Sequence, residues 1–316
     1  MPDQFIPDEK AWINSHYYDV PQQTIAFSGS ITGATLLNLG CGEMLTDFGL
    51  LNCNVKKIVG LDLDAKPSGH LATVARKLQN HGIEPPRDYE ERIAYRHYDG
   101  TRFPFEDRSF DFVFSWSAFE HVRSVLDVLA EVRRVLSDDG SAFIQVYPWY
   151  QSFAGSHLSD YISEPYFHLT RDAGWIRQEL ERYVLQHPDK RDFILNYMFG
   201  EYRNLNRYSA DSFYEDVLAA GFRVAKAAVI SFDLDLSEAP VFADFSALMI
   251  CGTKMLLKKR LSPVNDGSLV PRLARQLEDR TRQVEQLHNS LSWRLTAPLR
   301  LVGAHMARAS ARLRRK

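Results

Sequence analysis

Cysteine is scarce in this 316-residue chain: Cys41, Cys53 and Cys251 stand alone, and no two form a C-x-x-C pair. An odd, scattered set excludes a disulfide scaffold and a thiolate metal centre. Long apolar runs are also missing, and nothing approaches the roughly 18 consecutive apolar residues of a membrane-spanning helix. The opening MPDQFIPDEK has no basic stretch leading into an apolar one, so no secretory signal is expected, and the expected setting is cytoplasmic. His, Asp and Glu show no clear metal-ligand spacing along the chain, and no metal is expected. What is present is ordinary core material: 45% hydrophobic and 25% charged residues, which excludes an intrinsically disordered chain.

Net charge is small, -2, but unevenly spread. From Lys254 to Lys316 there are 15 basic and 4 acidic residues, a balance of +11; subtraction from the totals of 38 and 40 leaves 23 basic and 36 acidic residues in 1–253. An acidic body with a basic end suggests two roles in one chain. The acidic body excludes direct nucleic-acid binding by the main domain, because phosphate backbones require a positive face.

From residue 34 onward, short apolar runs alternate with helical spacing. Thr35 to Leu39, Lys57 to Leu61, Ile93 to His97, Phe110 to Ser115, Ser141 to Tyr147, Phe222 to Ile230 and Phe245 to Gly252 read as strands. Leu71 to Gln79, Val122 to Leu136 and Ala210 to Ala220 read as helices, the last ended by Gly221. Such alternation implies an α/β fold with a parallel sheet covered on both faces. Residues 148–209 interrupt the alternation with a stretch rich in aromatics and His, including Trp149, Phe153, His157, Tyr161 and His168. A structureless loop of that length is improbable inside a compact domain, so a partly helical lid is expected.

The expected organisation is an N-terminal segment 1–33, a main domain 34–253 carrying the lid 148–209, a linker 254–270 and a basic helical tail 271–316. In the tail, Leu277, Val284 and Leu291 recur at heptad spacing, and Thr296-Ala297-Pro298 marks a break and restart.

The first strand runs into Asn38-Leu39-Gly40-Cys41-Gly42-Glu43. Two glycines one residue apart between strand and helix allow a tight turn and close approach to a ligand. A dinucleotide site of the form G-x-G-x-x-G requires a third glycine where Leu45 stands, which counts against NAD. The second strand ends in Gly60-Leu61-Asp62-Leu63-Asp64, where the Asp62 carboxylate can accept from both hydroxyls of a ribose or simply cap a helix. The third leads into Tyr98-Asp99-Gly100-Thr101, where Asp99 can accept from an adenine amino group or form an Asp-Gly turn.

Taken together, these residues resemble the class I S-adenosylmethionine-dependent methyltransferases. NLGCGE is similar to that family's glycine loop and GLDLD to its ribose acid. YDGTRFPFEDRSFDFVFSWSAFEHV and EVRRVLSDDGSAFIQVYP are similar to the segments that follow. The resemblance implies a Rossmann-like, doubly wound, mostly parallel seven-stranded sheet with S-adenosylmethionine as cofactor. It also implies that Gly40 and Gly42 border the methionine part, Asp62 holds the ribose, Asp99 and Gly100 hold the adenine, and Ser115 lines the floor beneath the sulfonium. Two positions depart from the family pattern: Asn38 replaces the usual acid, and Met44 stands at a frequent third glycine.

For a hydroxyl acceptor a base must take a proton, and histidine is the natural candidate near neutral pH. His121, His157 and His168 are the candidates, and each can equally be a packed histidine. The segment Asn289 to Arg300, NSLSWRLTAPLR, resembles a tail found on bacterial glycosyltransferases and methyltransferases of cell-surface polysaccharide assembly. The expected function is therefore O-methylation of a sugar. Residues 271–293 are expected to pair with a glycosyltransferase or a second copy, and 294–316 to meet the inner membrane face. The alternatives are a small-molecule or lipid acceptor, or a non-catalytic scaffold that recruits glycosyltransferases. A nucleic-acid methyltransferase would carry a motif such as N-P-P-Y or D-P-P-Y, which is absent.

Overall fold

The computed structural model describes residues 9–234, 236–240 and 243–260. The described residues belong to one compact unit, which ends at Leu261. The heptad seam and the basic helix expected within 271–316 lie outside the described residues, as does the linker beyond Arg260.

Seven strands form one sheet in the order β3-β2-β1-β4-β5-β7-β6. They are β1 (Thr35–Leu39), β2 (Lys57–Asp62), β3 (Ile93–His97), β4 (Phe110–Trp116), β5 (Leu136–Val146), β6 (Phe222–Ile230) and β7 (Gly252–Lys259). The first five pair in parallel, with Leu37 opposite both Val59 and Val113. β7 runs antiparallel between β5 and β6. Leu36, Leu37, Val113 and Ile144 are fully or almost fully buried, as expected of strands covered on both faces.

One face is covered by α3 (Leu45–Leu51), α4 (His70–Asn80) and an N-terminal run comprising α1 (Glu9–Asn14), a π-helical turn (Ser15–Asp19) and α2 (Val20–Ser28). Contact here is very close: a Cβ at Gly49 in α3 would lie 2.2 Å from the Tyr17 carbonyl oxygen. The other face is covered by α6 (Val125–Val135) and α10 (Ala210–Ala219), whose Leu129, Val132, Phe213 and Val217 join the core. A short α5 (Tyr89–Arg92) precedes β3.

Residues 148–209 are mostly helical, including α7 (Phe167–Thr170), α8 (Ala173–Gln186) and α9 (Phe199–Asn204). They bury a core of their own around Leu158, Ile176, Leu180 and Ile194. Asp172 caps α8 by accepting from the Trp175 N–H at 2.8 Å. Most of the insertion's aromatics pack inward: Trp149, Tyr150, Tyr166 and Phe167 are buried, while Phe153 remains exposed.

One expected strand is corrected. Phe245 to Gly252 is not a strand; Phe245–Met249 forms the short helix α11, and the last strand is Gly252–Lys259. The sheet therefore runs past the expected domain edge at 253, and residues 254–259 belong to it rather than to a linker. The basic residues hid this strand. Lys254 lies over the Trp116 ring at 5.6 Å, Lys258 Nζ donates to the Asp139 carbonyl, and Lys259 pairs with Asp138 at 3.4 Å. Their stems cover apolar surface while the charges reach polar partners at the edge.

Candidate active site

The connections from β1 and β4 leave to opposite faces, although the two strands are neighbours. A crevice therefore opens beyond their carboxyl ends, the place where open α/β sheets bind ligands. The residues after β1 and β4 line it. Gly40 (φ +73°) and Gly42 (φ +50°) turn the chain, and the Gly40 N–H donates to the Leu61 carbonyl at 2.9 Å. A Cβ at Gly40 would lie 2.4 Å from the Ala118 Cβ, so the loop after β1 and the turn after β4 meet with no room for a side chain.

Asp62, at the end of β2, is half-buried. Its Oδ2 accepts from the Gly42 N–H at 2.8 Å and its Oδ1 from the Asp64 N–H at 3.0 Å. A carboxylate offers about four acceptor positions, so two remain for a ligand. Asp99 is exposed; its Oδ1 accepts from the Thr101 N–H at 3.0 Å and hydroxyl at 2.5 Å, and these bonds hold its carboxyl below the usual range. Gly100 follows with φ +86°. Ser115 is fully buried and donates to the Leu39 carbonyl at 2.9 Å, tying the ends of β4 and β1 together.

The two departures in the loop are both compensated. Met44 holds a left-handed backbone (φ 68°) and is fully buried. Its methyl group occupies space left by Gly60, where a Cβ would lie 2.7 Å from it. The Asn38 amide donates to Asp47 Oδ2 at 2.8 Å, so the acid missing from β1 is supplied by α3. Asp47 is completely buried, its Oδ1 has no hydrogen-bond partner, and burial lifts its carboxyl to about 7.

A second constellation lies beyond β4. The 3₁₀ turn Phe119–His121 carries Glu120 and His121, and the insertion contributes His157. One ligand atom from each of the three falls within 4.8 Å of the others. The imidazole rings of His121 and His157 are 5.5 Å apart between centroids. Glu120 is buried with no hydrogen-bond partner for either carboxylate oxygen, and burial lifts it to about 8. Burial and the neighbouring His121 push His157 down to about 4, while burial also lowers His121. Glu201 Oε2 stands 3.4 Å from His121 Nδ1. His157 holds a left-handed backbone (φ +58°), a costly conformation for a non-glycine residue and one found preferentially at functional sites.

Asn206 fixes this turn. Its side-chain amide donates to the carbonyls of Phe119 (2.6 Å) and Val122 (2.9 Å), and its N–H donates to the Glu120 carbonyl at 2.9 Å. His168 is not part of the group. It is buried inside the insertion, where one ring nitrogen meets the Tyr150 carbonyl at 2.8 Å and the Tyr150 hydroxyl donates to the His168 carbonyl. The sequence reading missed Glu120, Glu201, Asn206 and Asp47. The adjacent Glu120-His121 pair after a strand was the one available signal.

Residues 37–144 match the family model of a methyltransferase domain. The match spans about a third of the chain. The protein is a methyltransferase, and S-adenosylmethionine is its cofactor. Curated proteins yield no match to the chain. Among solved structures, the chain is similar to one in the complex of the Trm112 methyltransferase activator of Haloferax volcanii, at 16% identity and a TM-score of 0.48, covering 79% of this chain and 93% of that one. It is also similar to an S-adenosylmethionine-dependent methyltransferase of Mesorhizobium loti, at 15% identity and a TM-score of 0.46, covering 78% and 98%. For one of Aquifex aeolicus the identity is 14% and the TM-score 0.44, covering 80% and 98%.

The crevice of the methyltransferase domain makes a prediction about pH. Asp47 is neutral when folded up to about pH 7 but ionises near 3.8 when unfolded. Its contribution to stability is therefore fully present below that lower value and is lost as pH rises through 7. Replacing Asp47 with Asn should abolish this loss. In denaturant titrations between pH 4 and 7, the parent should weaken relative to Asp47→Asn by up to about 1.4 kcal/mol per pH unit. Parallel curves would show that Asp47 does not titrate there.

Proposed function

We propose that this enzyme methylates a sugar hydroxyl during surface-polysaccharide assembly. The observation that carries O-methylation is the His121–His157 pair, two imidazoles held neutral by burial, beyond the same sheet edge as the glycine loop. A hydroxyl loses its proton as its oxygen is methylated, and a neutral imidazole can accept one. His121 is the better placed of the two, because Glu201 Oε2 lies 3.4 Å from its Nδ1, where a carboxylate would favour the ring once it gains a proton. His157 lies against another imidazole, which opposes its protonation.

On the cofactor side, S-adenosylmethionine supplies a methyl group already activated on a sulfonium. Gly40, Gly42 and Ser115 are the residues proposed to border the donor end, Asp62 the ribose, and Asp99 with Gly100 the adenine. The crevice fits this assignment: Asp62 keeps two acceptor positions unused, and the Gly40 backbone lies bare against Ala118. The protein's own contribution is alignment, since orienting donor and acceptor removes much of the entropic barrier.

The sugar reading is supported by the resemblance of residues 289–300 to tails of polysaccharide-assembly enzymes. The exposed Phe153 offers a face for sugar stacking. The same tail underlies the proposal that residues 271–293 recruit a glycosyltransferase or a second copy, and that the basic residues of 294–316 hold the enzyme on an anionic inner membrane face.

Three measurements check these assignments. Asp62→Ala should weaken S-adenosylhomocysteine binding in calorimetry by about 1.5–3 kcal/mol, as for lost hydrogen bonds to a charged group; unchanged affinity removes the ribose role. His121→Ala should lower turnover on lipid-linked glycan acceptors while S-adenosylhomocysteine affinity holds, and full activity would exclude proton transfer at His121. Removing residues 262–316 should leave cofactor affinity intact and shift the protein from membrane to soluble fractions. A truncated protein that still sediments with membranes overturns the tail's role.

A further inference from the structure

We propose that Glu120, His121 and His157 bind a divalent first-row transition-metal cation. The site is assembled from two places in the chain. Glu120 and His121 sit on the turn after β4, and His157 comes from the first part of the insertion.

Three observations point to a ligand rather than to packing. Ligand atoms of Glu120, His121 and His157 lie within 4.8 Å of one another, close enough for small side-chain movements to bring them around one ion at about 2.1 Å each. Glu120 is 3% exposed, and neither of its oxygens meets a hydrogen-bond donor, nor does the buried Nε2 of His157. Buried carboxylates are paired or coordinate a metal, and here the facing groups are imidazoles rather than ammonium or guanidinium groups. The supporting shell is also built. Three hydrogen bonds from Asn206 hold the turn that carries Glu120 and His121, and His157 keeps a left-handed backbone that delivers its ring to the cluster.

The donor set defines the cation. Two imidazoles with one carboxylate, and no thiolate, suit Mn²⁺, Fe²⁺, Co²⁺ or Zn²⁺ better than Mg²⁺ or Ca²⁺, which favour oxygen alone, or Cu⁺, which favours sulfur. The spacing concealed the site, because His157 follows His121 by 36 residues and nothing local marks the pair. The inference goes beyond the proposed function, since cation binding requires neither cofactor nor acceptor. It meets that reading at one point: a ring nitrogen that gives its lone pair to a cation cannot also take a proton, so His121 and His157 would serve as bases only in the cation-free protein.

The test uses the full chain, stripped with chelator and titrated with Mn²⁺ in the absence of cofactor and acceptor. Loss of the free-ion electron paramagnetic resonance signal should report one equivalent per chain, displaced readily by Zn²⁺ and weakly by Mg²⁺. Glu120→Gln and His157→Gln should each weaken binding at least about tenfold while S-adenosylhomocysteine affinity holds. Absence of stoichiometric binding in the parent, or equal binding in both variants, overturns the proposal. If the variants fail to fold, the Mn²⁺-loaded parent decides: electron spin-echo modulation from two imidazole nitrogens supports the site, and its absence overturns it. Methyl transfer by chelator-treated enzyme would remove the cation from the reaction and leave the O-methylation reading standing.

Discussion

The contact between the Gly40 backbone and Ala118 sets the geometry on which the rest of the site depends. β1 and β4 are neighbours whose connections diverge to opposite faces, and the loops that leave them must pass each other at the crevice. With no Cβ at position 40 they pass in contact, which places the glycine loop and the Phe119–His121 turn side by side. The surrounding bonds lock this arrangement. Ser115 ties β4 to the Leu39 carbonyl, Asp62 holds the Gly42 N–H, and Asn206 pins the turn from the far end of the insertion. Such preorganisation is what methyl transfer requires of a protein, because alignment rather than activation is its share of the chemistry.

Much of this was legible in the sequence because the signals are local. A glycine pair after a strand, an acid at the end of the next and an Asp-Gly after the third each occupy a few consecutive residues, and the sheet places all three at one edge. β7 was not legible, because Lys254, Lys258 and Lys259 give a strand with buried leucines the appearance of a charged linker. The Glu120–His121–His157 group was hidden for a different reason. Its members are joined by the path of the insertion across the crevice, and no spacing rule encodes that path. His168, in turn, sat among the same aromatics but was claimed by the insertion's own core through Tyr150.

The departures at Asn38 and Met44 show why a motif is better judged by the space around it than by its letters. Position 44 keeps the left-handed turn that favours glycine, and the methionine side chain finds room because Gly60 vacates it on the adjoining strand. Position 38 loses its acid, but Asp47, in the first turn of α3, brings a carboxyl within hydrogen-bond reach of the Asn38 amide. Both exchanges preserve volume and polarity at the crevice while moving the residue that supplies them. Asn38 read in isolation would favour a non-catalytic scaffold, and it loses that weight once Asp47 is seen beside it.

Among the described residues, buried polar atoms without hydrogen-bond partners occur in several places, from Ser28 to Thr253, and the turn after β4 is one of them. Asp47 Oδ1, both Glu120 oxygens and His157 Nε2 are buried without hydrogen-bond partners. At the opposite end of the sheet the contrast is clear: Arg134 binds Glu131 and Asp107 and also donates to the carbonyls of Phe103 and Phe105. A fold able to satisfy a guanidinium so thoroughly does not leave carboxylates unpaired for want of donors. Each such group costs stability, and Glu120 and His157 stand out because their unpaired atoms lie together, beside a histidine in a left-handed backbone. Glu120 and His157 Nε2 are both acceptors, so what would satisfy them is a ligand that brings a proton or a positive charge.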